Sequence, residues 1–246
     1  MQMSSFLMFL CAISLILGLY GCGGTNTSTE ATSMPAQEEA SPLPTITGNP
    51  NAVVGEDGET RLHIAANDGN TRLVEALILG GADVNQAGYT GWTPLYYASN
   101  AEVVKVLLAH SANVNQTNDN GMTPLYHASG LGRTEVVKVL LAHGANVNQP
   151  DHEGRTPLHW ANAEIAKFLL AHGANVNQAD ILGSTPLHKA SGWGGTEVVE
   201  VLLTHGANVN QLDHEGRTPL DRAKNCDCSD ADKQAMIQLL RQAGGI

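Results

Sequence analysis

Four histidines recur at one kind of place, His110, His143, His172 and His205, and two identical triplets, Asp151-His152-Glu153 and Asp213-His214-Glu215, lie 62 residues apart. Imidazoles in a row are zinc-ligand types, and a carboxylate beside an imidazole is acid/base machinery. Cys226 and Cys228 add two thiols one residue apart. None of these chemistries survives a test of spacing. Helix layers pack about 8–10 Å apart, whereas zinc holds nitrogens at about 2.0–2.1 Å, so one histidine rung cannot share an ion with the next. A helix C-terminus that prefers a donor for its last carbonyls accounts for the row instead. The triplets open a shared eight-residue string that runs to Leu158 in one copy and Leu220 in the other, so duplication explains them. The cysteine spacing suits free thiols or a local disulfide, with intermolecular pairing the alternative in an oxidising compartment. No nucleophile elbow, phosphate-cradling glycine loop or metal-ligand cluster occurs in the sequence, so no catalytic residue, metal or cofactor is assigned.

What positions the histidines is a repeat. Thr-Pro-Leu occurs at Thr93, Thr123, Thr156, Thr185 and Thr218, with a sixth, frayed copy at Thr60-Arg61-Leu62-His63, and the intervals are 33, 30, 33, 29 and 33 residues. Self-similarity at such a period marks an array whose units bury their apolar sides only by stacking on one another. Thr123 to Asn148 shows one unit. Thr123 suits a helix N-cap, and Pro124 sits where a missing N–H costs nothing. After Ala128-Ser129-Gly130-Leu131-Gly132, Glu135 opens a second helix whose Val136, Val137, Leu140 and Leu141 share one apolar face. Gly144 offers the left-handed residue that ends it, and Ala145-Asn146-Val147-Asn148 runs extended toward the next Asp/Asn/Gly turn. Asn113, Asn146, Asn175 and Asn208, each followed two positions on by another asparagine, predict amide ladders that satisfy backbone.

The pattern Asp-x-x-Gly-x-Thr-Pro-Leu-His-x-Ala…Glu-Val-Val…Leu-Leu…His-Gly-Ala-Asn-Val-Asn closely resembles the ankyrin-repeat family from about Asp57 to Gly245. The resemblance implies an all-α solenoid of six stacked helix-loop-helix units with projecting β-hairpins, starting near 57, 90, 119, 151, 180 and 213. It also implies a concave face used for protein binding. Units two and four are three and four residues short, close to one 3.6-residue turn, which predicts alternating long and short helix pairs. Tyr96, Tyr126 and Asp221 replace a histidine that the family uses between helix start and adjoining backbone, so looser junctions are expected there. The polar last helix, with Lys233, Gln234, Gln238 and Arg241, reads as a terminal cap.

The 246 residues are 42% apolar but only 4% aromatic, so Leu, Val and Ala do the packing. A net charge of −11 without a basic stripe excludes sequence-independent nucleic-acid binding. Phe6 to Tyr20 is an apolar run of 15 residues, short of the roughly 20 that span a bilayer, and it ends in Leu19-Tyr20-Gly21-Cys22. This resembles a bacterial lipobox, which implies a signal peptide over 1–21, lipidation of Cys22 and a place in the cell envelope or outside it. An ordinary cleaved signal and an uncleaved anchor are the alternatives. Residues 22–52, rich in Ser, Thr, Pro and Gly, read as a tether that holds a repeat domain over 53–246 about 30 Å from the membrane.

Specificity should lie where the units differ. Tyr97, His127, Trp160 and Lys189 follow the Thr-Pro-Leu-x tetrapeptide, Tyr89, Trp92 and Ile181 sit in the arms, and Leu131 and Trp193 lie between helices. Mixed aromatic and apolar sets of this kind suit binding hot spots. Tyr97 and Trp160, equivalent to Ile64, serve equally well as half-buried packing residues, whereas Trp92 and Trp193 are expected to be exposed. The sequence therefore points to a non-enzymatic, monomeric module that grips a partner protein. An accessory or immunity-type protein acting on one enzyme and a host-directed effector are the rival readings.

Overall fold

The computed structural model describes residues 42–246. Six helix pairs follow one another: α1 Arg61–Asn67 with α2 Thr71–Leu79, α3 Pro94–Tyr97 with α4 Ala101–Ala109, and α5 Pro124–Gly130 with α6 Thr134–Ala142. Unit four pairs a 3-10 turn, Pro157–His159, with α7 Ala163–Ala171, and α8 Pro186–Trp193 with α9 Thr196–Thr204 and α10 Pro219–Lys224 with α11 Asp230–Gln242 complete the array. The first helices stack on one another as one layer and the second helices as another.

Local chemistry sets these boundaries. Threonine caps the first helices, as where Thr123 Oγ1 accepts the Tyr126 N–H at 3.1 Å, and proline follows in every unit but the first. Asparagine caps the second helices of the two short units, where Asn100 and Asn162 each accept an N–H at 2.9 Å. Each unit then contributes one leucine from each layer to a continuous core. Leu62, Leu95, Leu125, Leu158, Leu187 and Leu220 come from the first helices and Leu77, Leu107, Leu140, Leu169, Leu202 and Leu240 from the second, all buried. At about 1.5–3 kcal/mol for each buried side chain, this double row is the main stabilising term.

The alternation of long and short pairs is present, and the deletion falls wholly on the first layer. First helices run 7, 4, 7, 3, 8 and 6 residues, while second helices in units one to five all keep 9. The physical reason is burial. The nine-residue helices carry core residues over their whole length, whereas Gly130, Leu131 and Gly132, which end the first helix of unit three and lead out of it, are exposed or half-buried and leave the core intact when they are absent.

The expected β-hairpins are corrected to tight turns: among the described residues the extended pairing is one isolated bridge, Val53 with Thr60. Each later arm closes with two backbone bonds, such as Asp151 N–H to the Arg155 carbonyl and Gly154 N–H to the Asp151 carbonyl, both at 2.9 Å. One more bond joins it to the arm before, such as His152 N–H to the Asn120 carbonyl at 2.9 Å. Buried aspartates replace strand pairing, since Oδ1 of Asp151 accepts the N–H of Glu153 and of Arg155, both at 2.9 Å.

An asparagine amide ladder runs the length of the array. Asn148 Nδ2 donates to the Gly173 carbonyl at 3.0 Å and its Oδ1 accepts the Asn175 N–H at 2.8 Å, so one side chain bridges two units. Asn85, Asn115, Asn177 and Asn210 do the same. The first rung is Asn51, bonded to the Gly81 carbonyl and the Asp83 N–H. Residues 42–52, which composition assigns to the tether, are thus bonded to the first unit, with Ile46 packed on the core and Thr47 O accepting from Arg61. Polar composition hid this because the bonds are made by backbone and amide groups.

Ser111 is the one non-glycine among the described residues with positive φ, 67°, at the place where Gly144, Gly173 and Gly206 stand. A side chain is strained there. Ser111→Gly is expected to stabilise the protein by about 0.5–1 kcal/mol, read as a raised urea midpoint with unchanged slope.

Candidate functional site

The perturbed ionisable groups are absorbed by the scaffold. His63, His159 and His188 each accept their own threonine N–H on Nδ1, at 3.0, 3.0 and 3.2 Å. An N–H can only donate, so the proton of each ring sits on Nε2, which donates across to the next unit: to the carbonyls of Trp92 at 2.9 Å, Ser184 at 3.2 Å and Arg217 at 3.1 Å. Burial lowers the pKa of all three, His159 to about 4, and outweighs these backbone hydrogen bonds. The second set of histidines has the opposite tautomer. Nδ1–H of His110, His143, His172 and His205 donates to the carbonyl four residues back, at 2.8–2.9 Å, which caps α4, α6, α7 and α9 as expected from the sequence.

The three departures from histidine resolve differently. Tyr126 Oη donates to Asp151 Oδ2 at 2.7 Å in a buried junction, so that joint is bonded, not loose. Tyr96 Oη reaches only the Met122 sulfur, at 3.6 Å, and the amide nitrogen of buried Asn118 is left without an acceptor. Asp221 Oδ2 accepts the Thr218 N–H at 3.1 Å and hydroxyl at 3.0 Å, the contacts that histidine Nδ1 makes with its own threonine in units one, four and five.

The acidic triplets are arm corners. Asp213 carries Arg217 and Arg222 on Oδ2, at 3.1 and 2.7 Å, and these hydrogen bonds with the Arg217 N–H overcome burial and hold its carboxyl well below the usual range. Cys226 and Cys228 are joined to each other. Among the described residues no group of three or more His, Cys, Asp or Glu side chains is arranged to hold a metal ion.

The binding candidates fall into two ring clusters on the first-helix layer and a set of arm tips. In the first cluster Trp92 lies 4.4 Å from Tyr96, 5.3 Å from Tyr97 and 5.7 Å from His127, and His127 stacks on Tyr96 at 4.1 Å. Tyr97 closes it against His63. Burial pushes the Tyr97 hydroxyl up to about 12, aided by Glu59, and burial with Arg133 pushes His127 down to about 3. Trp92, expected to be exposed, is half-buried, because the rings of Tyr96, Tyr97 and His127 enclose it. In the second cluster Trp160 meets Trp193 at 5.0 Å, Tyr126 at 6.4 Å and the Arg155 guanidinium at 5.3 Å. Trp193 is 58% exposed, as expected.

Tyr89 and Ile181 are exposed arm residues, and Leu131 is half-buried at the end of α5. Lys189 faces inward, since its ammonium holds the buried Asp180 carboxylate at 3.1 Å. The sequence reading missed Leu182 and Leu212, exposed at arms five and six, and Arg133, which covers the end of α3. For Leu182 the signal was available, as Ile181-Leu182 stands where two other arms carry His-Glu.

A family model described as Ankyrin repeats (3 copies) matches residues 43–118, 99–180 and 162–244. Over 45 residues, 18% of this chain, the protein is 47% identical to protein phosphatase 1 regulatory subunit 12A of Mus musculus. Over 45 residues it is 42% identical to the Notch-regulated ankyrin repeat-containing protein of Homo sapiens. The matches span 4% and 40% of the length of those relatives.

Proposed function

The chain belongs to the ankyrin-repeat family, a family of protein-interaction modules, and from that premise we propose that it is a secreted, non-enzymatic binder, lipid-anchored through Cys22 in a bacterial envelope. It grips one partner protein with its first-helix layer and arm tips. The observation that carries this reading is the pair of ring clusters, which gather most of the aromatic side chains of the described residues on the first-helix layer. Half-buried rings held by neighbours lose little freedom on binding, and such residues supply most of the energy of an interface. Cys22 lies outside the described residues, and its lipidation rests on the Leu19-Tyr20-Gly21-Cys22 string.

Crosslinking in living cells followed by mass spectrometry tests the binding, and radioactive palmitate tests the anchor. Trp193→Ala is expected to reduce crosslinked partner at least tenfold while leaving the fold intact, as truncation of a hot-spot residue costs about 2 kcal/mol or more. Cys22→Ser is expected to abolish palmitate labelling. Unchanged capture by the tryptophan variant, or a wild-type chain that takes up no palmitate, would remove the corresponding half of the proposal.

A further inference from the structure

Arg133 and Gly195 occupy the same place in units three and five. Each follows a left-handed glycine, Gly132 with φ 69° or Gly194 with φ 79°. Each also precedes a second helix with nearly the same backbone, φ −81° and ψ 72° for Arg133 and φ −78° and ψ 66° for Gly195. Only the side chain differs. Nη1 of Arg133 reaches back over the truncated α3 and donates to the carbonyls of Tyr97 at 3.3 Å and Ala98 at 3.0 Å. Those carbonyls are what a helix exposes when its last turn is removed.

Unit four is truncated at the same point, with Trp160 and Ala161 in the places of Tyr97 and Ala98, but Gly195 has no side chain to send back. The bonds that Arg133 makes have no counterpart at the Ala161 carbonyl. In their place is an indentation of about 70 Å³, lined among others by Trp160, Ala161, Ala190, Trp193, Gly195 and Val198. This is the space of roughly two waters at about 30 Å³ each, enough for a small planar group.

We propose that the indentation is an arginine notch: a guanidinium from the partner protein takes the position over unit four that Arg133 takes over unit two. The proposal rests on the protein-binding reading and names the chemistry of one contact. A guanidinium fits where an ammonium does not, because its planar fork can address adjacent carbonyls while its face lies on the exposed Trp193 ring. The surroundings favour a cation. Glu197 opens α9 two residues beyond Gly195, and Glu200 stands where α4 and α6 carry Lys105 and Lys138. Asp227 precedes Cys228, whose Cβ packs against Gly194. The nearby cations are engaged, Arg155 by Asp151 and Glu153 and Lys189 by Asp180, and the chain as a whole carries −11.

Titration of the full-length protein with L-arginine amide, and in parallel with L-lysine amide, tests this through the indole NMR signals of Trp160 and Trp193. Arginine amide is expected to shift both signals saturably, with a dissociation constant in the millimolar range, and lysine amide to bind at least fivefold more weakly. Gly195→Arg is expected to plug the notch and abolish the response without loss of Tm. The nearest atoms to a Cβ there are the Ala190 carbonyl oxygen at 3.5 Å and Val198 at 3.6 Å and 3.7 Å, which are ordinary contacts. Equal responses to both amides, or a Gly195→Arg protein that answers arginine amide as the wild type does, would overturn the notch. Because the probe is a free amide, that result is independent of partner capture, whose failure in the wild type would instead sink the binding-module reading.

Discussion

Acidification from pH 7 to pH 4 is expected to lower the urea midpoint of this protein steeply, through its buried histidines. His159 is buried and neutral, with Nδ1 accepting from Thr156 and Nε2 donating to Ser184. Protonation of Nδ1 would destroy the first bond and bury a charge. Burial places its folded pKa at about 4, below the value near 6.5 of an unfolded chain. Between those values the unfolded state holds more protons, so the stabilisation is complete above about pH 6.5 and is lost as pH falls toward 4. For His159 alone the loss is on the order of 3 kcal/mol. His63 and His188 shift in the same direction, and His127 adds a fourth contribution that extends to about pH 3. Asp180 and Asp213, whose folded values are depressed, weaken the fold only below the ordinary carboxylate range, so the two limbs separate. His159→Tyr is the diagnostic variant, since Tyr126 already fills that place and bonds to the next arm's aspartate. It should fold at pH 7 and flatten the slope between pH 6.5 and 4. An unaltered slope would show that His159 titrates normally.

The same histidines mark how far the sequence could be read. Period, helix positions and the C-terminal role of His110 to His205 were legible because each follows from local spacing that recurs in register. The missing turns in units two and four were legible as a length, but not their assignment to the first layer, since that depends on which helix is buried along its whole length. Arms drawn as β-hairpins were a fold-level expectation. What replaces strands is the carboxylate of Asp151, Asp180 or Asp213, which takes two backbone N–H groups and leaves its other oxygen for Tyr126, Lys189 or Arg222. Partners from a neighbouring unit or a later helix are invisible in a single repeat. The exposure of Trp92 was misjudged for the same reason: its arm position suggested solvent, while Tyr96, Tyr97 and His127, drawn from two units, enclose it.

Leu169→Ala is expected to have the largest effect of any single core change, because it strikes the array where it is thinnest. Leu169 is fully buried in α7, and its first-layer counterpart is only the three-residue 3-10 turn, so unit four offers the fewest alternative contacts when a side chain is cut away. Truncation of a buried leucine costs about 2–5 kcal/mol, with the upper part of the range applying where the surroundings cannot collapse. In a globular domain that loss would lower one cooperative transition. In a stack whose units touch only their neighbours it weakens one nearest-neighbour link, and units one to three can then persist after units five and six have opened. Trp92 reports the first block and Trp193 the second, so urea unfolding followed by tryptophan fluorescence and by helix circular dichroism should change from coincident to separate transitions. Hydrogen exchange should accelerate in α9 and α11 far more than in α2 and α4. A single transition shifted as a whole would mean that the Asn148 and Asn177 rungs, not leucine packing, carry the coupling through unit four.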